Sequence, residues 1–214
     1  MTKHTHKRDA EASRRTIVRN AITLFSQKGY AGASMDELAK MSDLNKAMIF
    51  YYFKNKKGLY EAVMHEILQE IYEAILAENK LHDNPLDEFE GFIRTYASFA
   101  CAHPYLPALL LKELSDSGAV IPETLFASMR KLFALFSDIL RRGEAEGIFH
   151  DVIPMVRYFM VLGTLNLMVT TKPLRLKAAR LDDIEVDTCV ECDIDEIADY
   201  LIRKIKLMLQ QEER

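Results

Sequence analysis

Apolar residues recur along this chain at intervals of three and four, the period of helices that bury one face. The first stripe is Ile17, Ala21, Leu24 and Phe25, with Arg15, Arg19 and Gln27 off it, and it predicts a helix over 14–28 that Gly29 ends. Ser34-Met35-Asp36-Glu37 has the form of a capping box, the Ser34 hydroxyl accepting from the Glu37 amide and the Glu37 carboxylate reaching back. A short helix follows to about residue 41, with Leu38 and Ala39 inward. Ser42-Asp43-Leu44 breaks it, and Asp43 tolerates a left-handed backbone better than most residues. Asn45 is a good N-cap for a further helix over 46–52. Two short helices across so tight a turn predict a helix-turn-helix.

The same period continues to the end of the chain. Asn55 caps a long helix whose stripe is Leu59, Val63, Ile67, Ile71 and Ile75. Such a helix would serve as a rigid connector between what precedes and follows it. Asn84-Pro85 opens a helix over 86–102, which His103-Pro104 breaks. A short apolar helix over 106–114, a loop over 115–122 and a long helix over 123–146 closed by Gly147 come next. The segment 151–170 is apolar on nearly all sides, hence buried on nearly all sides. Residues 171–192 read as irregular and acidic. The last helix, 193–210, aligns Ile194, Ile197, Leu201, Ile205 and Leu209. The fold class is all-α, with residues 1–57 as an N-terminal three-helix helix-turn-helix domain and 58–214 as a C-terminal helical domain.

Charge sharpens this division. Residues 1–57 carry twelve Lys and Arg against five Asp and Glu, a formal +7, whereas the remainder carries −11 of a total of −4. A basic head on an acidic body points to a polyanion partner at one end only. Lys56 and Lys57 lie in the first turn of their helix, where free amides already favour an anion such as phosphate. No apolar run reaches the roughly 18 residues of a membrane span. The start is polar and basic without the apolar region of a secretory signal. Three cysteines make no disulfide framework. Cytoplasmic placement, no membrane and no cofactor are the expectations.

The run Ser34 to Val63, SMDELAKMSDLNKAMIFYYFKNKKGLYEAV, resembles the N-terminal domain of the TetR family of repressors, most specifically over Tyr52-Phe53-Lys54-Asn55-Lys56 to Leu59. It departs at Asp43, where the family usually has Gly, and over 45–50, where Met48 replaces a hydroxyl and Phe50 a phenol. The resemblance implies that Lys46, Ala47 and Met48 face base edges. Ser34, Tyr51, Tyr52 and Lys56 would hold phosphates, and Phe50 would make base contact or join the core. The apolar Met48 suits thymine methyl groups. Lys3 to Arg8 would add a basic arm or a disordered terminus.

For the body, the resemblance implies a homodimer through the last two long helices, read as a face of Phe159, Leu162, Leu165, Ile197, Leu201 and Ile205. It also implies an effector cavity. Phe92, Tyr96, Phe99, Phe126, Met129 and Phe133 would line it, suiting an apolar or aromatic small molecule, although core packing explains each residue as well. An inward Arg94 would instead imply an anionic effector. The partners are then a double-stranded operator, a second copy of the chain and a small molecule.

The other constellations are weak. Cys189 and Cys192 form one CxxC, among carboxylates (Asp187, Glu191, Asp193) that raise a thiol's pKa, and zinc needs two further ligands. His4 and His6 are terminal. Asp182-Asp183-Ile184-Glu185 is a single acidic cluster of the kind that binds magnesium in helical synthases. No P-loop, GxGxxG or nucleophile elbow occurs. No catalytic or metal residue is assigned. A helical-bundle enzyme or small-molecule-binding protein that does not act on DNA is the alternative.

Overall fold

The computed structural model describes residues 3–115, 123–179 and 193–210, which form ten helices with no strand among them. These are α1 (Lys3–Gly32), α2 (Met35–Ser42), α3 (Lys46–Phe53), α4 (Lys56–Asn79), α5 (Pro85–Ala102), α6 (Tyr105–Ser115), α7 (Glu123–Ala145), α8 (Pro154–Thr170), α9 (Lys172–Ala178) and α10 (Ile194–Gln210). The all-α expectation holds. The chain divides into two units, residues 1–68 with 122–125 and residues 69–121 with 126–214. The CxxC of Cys189 and Cys192 and the acidic run 182–185 lie outside the described residues.

Two elements differ from the sequence reading. The backbone of residues 3–8, expected as an arm or a disordered terminus, belongs to α1, and the only break inside that helix is Gly29 at φ 66° and ψ 173°. The segment after α8 is not wholly irregular, because α9 forms there. Thr171 closes α8 by donating its N–H to Leu167 O at 2.8 Å, and Pro173 then sits in the first turn of α9, where a missing N–H is harmless. A segment read as irregular thus starts with a new helix. Arg175 reaches back from α9 to Met168 O at 2.8 Å, a cation on the terminal carbonyls of α8.

In the first unit, α1 buries Ile17, Val18, Ala21, Leu24 and Phe25. Leu38 of α2, Ile49 and Phe53 of α3, and Leu59, Tyr60, Val63 and Met64 of α4 are buried too. Phe25, Tyr30 and Tyr60 form an aromatic triangle with centroids 4.9–6.0 Å apart. Tyr60 belongs to this triangle, so the first unit continues beyond residue 57.

In the second unit, α5 packs against α8 and α10, and α8 packs against α6 and α10. The rings of Phe89, Phe92, Phe136, Phe149 and Tyr158 meet edge-on or tilted, with centroids 4.9–6.0 Å apart. Such pairs add about 0.5–1.5 kcal/mol each beyond the area they bury. Two polar ties cross this apolar interior. The Tyr96 hydroxyl donates to Asn166 Oδ1 at 2.8 Å, joining α5 to α8, and burial pushes the phenol well above its ordinary pKa. Arg142 of α7 grips the buried Glu88 of α5 through both carboxylate oxygens and takes Asp138 at 2.9 Å. Outside this core, Arg94 pairs with Asp199 and Lys206 with Glu90, each at 2.5 Å, so Arg94 points out to α10 and carries no argument for an anionic effector.

The end of α7 shows how closely this unit is packed. Ile148 and Phe149 donate their backbone N–H groups to Gly143 O at 2.8 and 3.1 Å, folding the chain back over α7. The Phe149 ring then lies where a side chain at 143 would be: a Cβ there would stand 2.1 Å from Cδ2. Gly143→Ala gains about 1 kcal/mol of helix propensity. It must also displace a buried ring, an overpacking penalty of about 1–3 kcal/mol. The expected result is net destabilisation in a urea unfolding curve, and a midpoint at or above that of the parent would refute this packing.

Candidate nucleic-acid interface

The head is built from short helices held by their ends. Ser34, with extended backbone (φ −116°, ψ 147°), caps α2 by accepting from the Glu37 N–H at 3.1 Å. The reciprocal half of the capping box is not made, because the Glu37 carboxylate turns to Lys28 Nζ at 2.5 Å. Asp43 takes the left-handed conformation at φ 51°, ψ 39°, and Leu44 returns its N–H to Ala39 O at 3.1 Å. Asn45 caps α3 by accepting from the Ala47 N–H at 2.9 Å. Asn55 caps α4 by accepting from the Gly58 N–H at 2.8 Å. Only glycine fits at 58, since a Cβ would meet Phe53 O at 2.3 Å.

Along α3, Ile49 and Phe53 turn into the core. The remaining positions form an outer face, with Ala47 exposed, Met48 and Phe50 each 38% exposed and Tyr51 83% exposed. Phe50, left between core and base contact by the sequence, therefore lies on the outer side, 6.0 Å beneath Lys46 Nζ. Lys46 and Tyr52 are half-buried, and the Tyr51 and Tyr52 rings meet at 5.4 Å. The structure thus brings Lys46, Ala47, Met48, Phe50, Tyr51 and Tyr52 onto one eight-residue helix, with Ser34 at the cap of the helix before it. Lys56 is less free than the sequence suggests. Its ammonium lies 4.7 Å over the Tyr30 ring and donates to Ala31 O at 3.3 Å, at the end of α1.

The body residues fall out differently. Phe92 and Tyr96 are buried, and Phe99, Met129 and Phe133 are half-buried. Phe126 is 55% exposed and must be removed from the interior set: it lies on the outer side of α7, next in sequence to the buried Leu125. Of the residues read as a dimer face, Leu162, Leu165, Ile197 and Ile205 are buried within the chain itself, while Leu201 is half-buried and Phe159 is 54% exposed. The stripe that is strongest in sequence is the one each helix turns to its own core. Other positions on the same helices remain outside: Met155, Val156 and Leu167 on α8, Tyr200, Leu207 and Met208 on α10.

Sequence reasoning missed Asn20. Its side-chain amide donates to Met41 O and to Ser42 Oγ, both at 3.1 Å, tying α1 to the turn that sets the angle of α3. A polar residue within the apolar stripe, three after Ile17, was the available signal. The ion pairs Lys28–Glu37 and Lys46–Asp36 were also unread, since partners nine or ten residues apart meet only across the turn.

Residues 17–63 match the family model described as "Bacterial regulatory proteins, tetR family". The HTH-type transcriptional repressor SCO4008 of Streptomyces coelicolor is 29% identical over 148 residues, 69% of this chain and 72% of that one. Among solved structures, FadR from Bacillus subtilis in complex with stearoyl-CoA superposes with a TM-score of 0.73 at 17% identity, covering 91% of this chain and 98% of that one. AibR in complex with isovaleryl coenzyme A and operator DNA superposes at 0.66 with 19% identity, covering 94% and 100%. Fold and head together define a helix-turn-helix transcriptional regulator with a helical body. Residues 17–63 are thus similar to the N-terminal domain of the TetR family, and the helices that follow share the fold of the superposed structures.

The Asn20 clamp yields a direct test. Asn20→Ala removes both amide bonds and strands the buried Ser42 hydroxyl, a loss of about 1–3 kcal/mol. Amide exchange in α2 and α3 is expected to accelerate accordingly, and unchanged protection there would show that the turn is held without Asn20.

Proposed function

We propose that this chain is a ligand-responsive repressor that binds a palindromic operator as a homodimer and is released by a small apolar or aromatic molecule. The observation that carries the reading is α3. It is held by two buried residues, Ile49 and Phe53, and directs Ala47, Met48, Phe50 and Tyr51 outward from a helix short enough for a major groove. Lys46, Ala47 and Met48 then meet base edges, with Met48 and Phe50 suited to thymine methyl groups. Ser34, Tyr51, Tyr52 and Lys56 hold phosphates and fix register. The hold of Tyr30 on Lys56 keeps that cation in place before DNA arrives.

A palindromic site needs two heads about 34 Å apart, or a multiple of it. The exposed apolar residues of α8 and α10, Phe159 above all, support pairing with a second copy through these helices. For the effector, Phe92, Tyr96, Phe99, Met129 and Phe133 remain the candidate lining. The structural neighbours that carry stearoyl-CoA and isovaleryl coenzyme A make acyl thioesters the first compounds to screen. The chain acts by binding and not by catalysis, and it acts in the cytoplasm, where its DNA lies. Among the described residues no helix is long and apolar enough to cross a membrane, and no group of three metal-ligating side chains occurs.

Protection of the promoter beside its own gene in a footprint is the primary test. Affinity for the protected duplex is expected to fall steeply with salt, by about 0.9 in log–log slope for each phosphate neutralised. A flat salt response would sink the reading. Lys56→Ala is expected to weaken binding to all DNA sequences alike, whereas a change at Ala47 or Met48 alters sequence preference. Phe159→Glu is expected to convert dimer to monomer in sedimentation, because a charge placed in that contact is buried without a partner. A wild-type protein that sediments as a monomer at micromolar concentration would remove the dimer.

A further inference from the structure

Both carboxylates in the first turn of α2 are held by lysines, Glu37 by Lys28 at 2.5 Å and Asp36 by Lys46 at 2.8 Å. The two pairs tie different things. Lys28 comes from α1. Lys46 is the first residue of α3, so Asp36 bridges from one helix of the helix-turn-helix to the start of the other. The pair lies on the surface, Asp36 70% exposed and Lys46 42%, so it opens easily. A negative charge beside the outer face of α3 is out of place in a head built to meet a polyanion, and this calls for an explanation.

The chemistry of the two competing partners supplies one. A free ammonium at position 46 would neutralise a phosphate of any DNA, and phosphate contacts carry no sequence information. An ammonium already held by Asp36 gains little by exchanging one solvated oxygen anion for another. At a guanine edge no exchange is needed, because the ammonium has three donors and can meet neutral O6 or N7 while keeping Asp36. The carboxylate itself repels phosphates and guanine acceptors and is satisfied only by a donor such as the cytosine amino group.

Resting on the DNA-binding reading above, we propose that Asp36 is a specificity-determining residue. By holding Lys46 across the step from α2 to α3, it weakens binding to unrelated DNA more than binding to the operator. Its action runs through Lys46, and the pair is a filter against phosphate contacts that any sequence offers.

Asp36→Asn removes the charge while keeping the side-chain size and position. The probes are a duplex selected for binding from a random-sequence library and a scrambled duplex of the same composition. Affinity for the scrambled duplex is expected to rise roughly 2–5-fold, the range set by opening one surface ion pair. The salt slope on that duplex is expected to steepen by about 0.9, one further phosphate neutralised. Affinity for the selected duplex rises less, so the ratio between the two falls. In a Lys46→Gln background, Asp36→Asn is expected to change neither the ratio nor the slope. Asp36→Ala, which cannot donate to a base, is expected to repeat the direction of Asp36→Asn. An unchanged ratio in a protein whose parent binds DNA would overturn the proposal. So would an effect of equal size without Lys46, which would mean simple repulsion by the carboxylate. A parent protein that binds neither duplex at low salt would remove the DNA-binding reading itself, and the filter with it.

Discussion

An eight-residue helix is not stable by itself in water, because nucleation outweighs the few hydrogen bonds that follow. α3 is such a helix, and the head is organised around keeping it formed while leaving most of its surface unburied. Two side chains, Ile49 and Phe53, one turn apart, are given to the core. The cap at Asn45 satisfies an amide that the helix cannot. The left-handed turn at Asp43 and the Asn20 amide on Met41 and Ser42 set where α3 begins. Gly58 lets the next helix start against the Phe53 carbonyl. Each device fixes the backbone of α3 without touching its outer side chains. That is why those side chains are free to differ from the usual family residues, as Met48 and Phe50 do, at no expense to the fold.

The charges of the head follow the same logic. Part of its formal +7 is held in place: Lys28, Lys46 and Lys56 each have a partner in the structure, two carboxylates and one aromatic face with a carbonyl. A cation that is already held has a fixed position and less entropy to lose when a phosphate or base arrives. The attraction to a polyanion remains, since the net charge is unchanged, but the contacts made at close range are chosen. Long-range charge brings DNA to the head, and short-range pairing decides which lysine meets what.

The body solves a different problem. Its main helices, α5, α7, α8 and α10, run 17 to 23 residues, and its core is assembled from rings that tilt against one another across α5, α7 and α8. Two polar groups of that interior have specific partners, Tyr96 in Asn166 and Glu88 in the half-exposed Arg142. Buried polar pairs of this kind contribute little net stability but penalise alternative packings. Each helix has only one strongest apolar stripe, and on α8 and α10 it is used within the chain. What remains outside, such as Phe159, Tyr200 and Leu207, is a weaker and more scattered apolar set.

Sequence alone determined the elements. Period, caps and breakers placed nine of the ten helices, the left-handed residue at 43 and the caps at Ser34, Asn45 and Asn55, because each depends on residues within a turn of one another. The missing helix, α9, contains Pro173 in its first turn, and a proline's local effect is the same whether it stops one helix or starts the next. Tertiary structure decided which side of each element counts. Four of the six residues read as an interface, Leu162, Leu165, Ile197 and Ile205, are core, and Phe126, read as interior, is surface. A hydrophobic stripe records that a face is covered without recording by what, since transfer from water is non-directional and the same for any apolar cover. The Asn20 clamp and the Asp36–Lys46 pair were invisible for a related reason. Their partners are ten to twenty-two residues apart in sequence and meet only when α1, α2 and α3 have packed against one another.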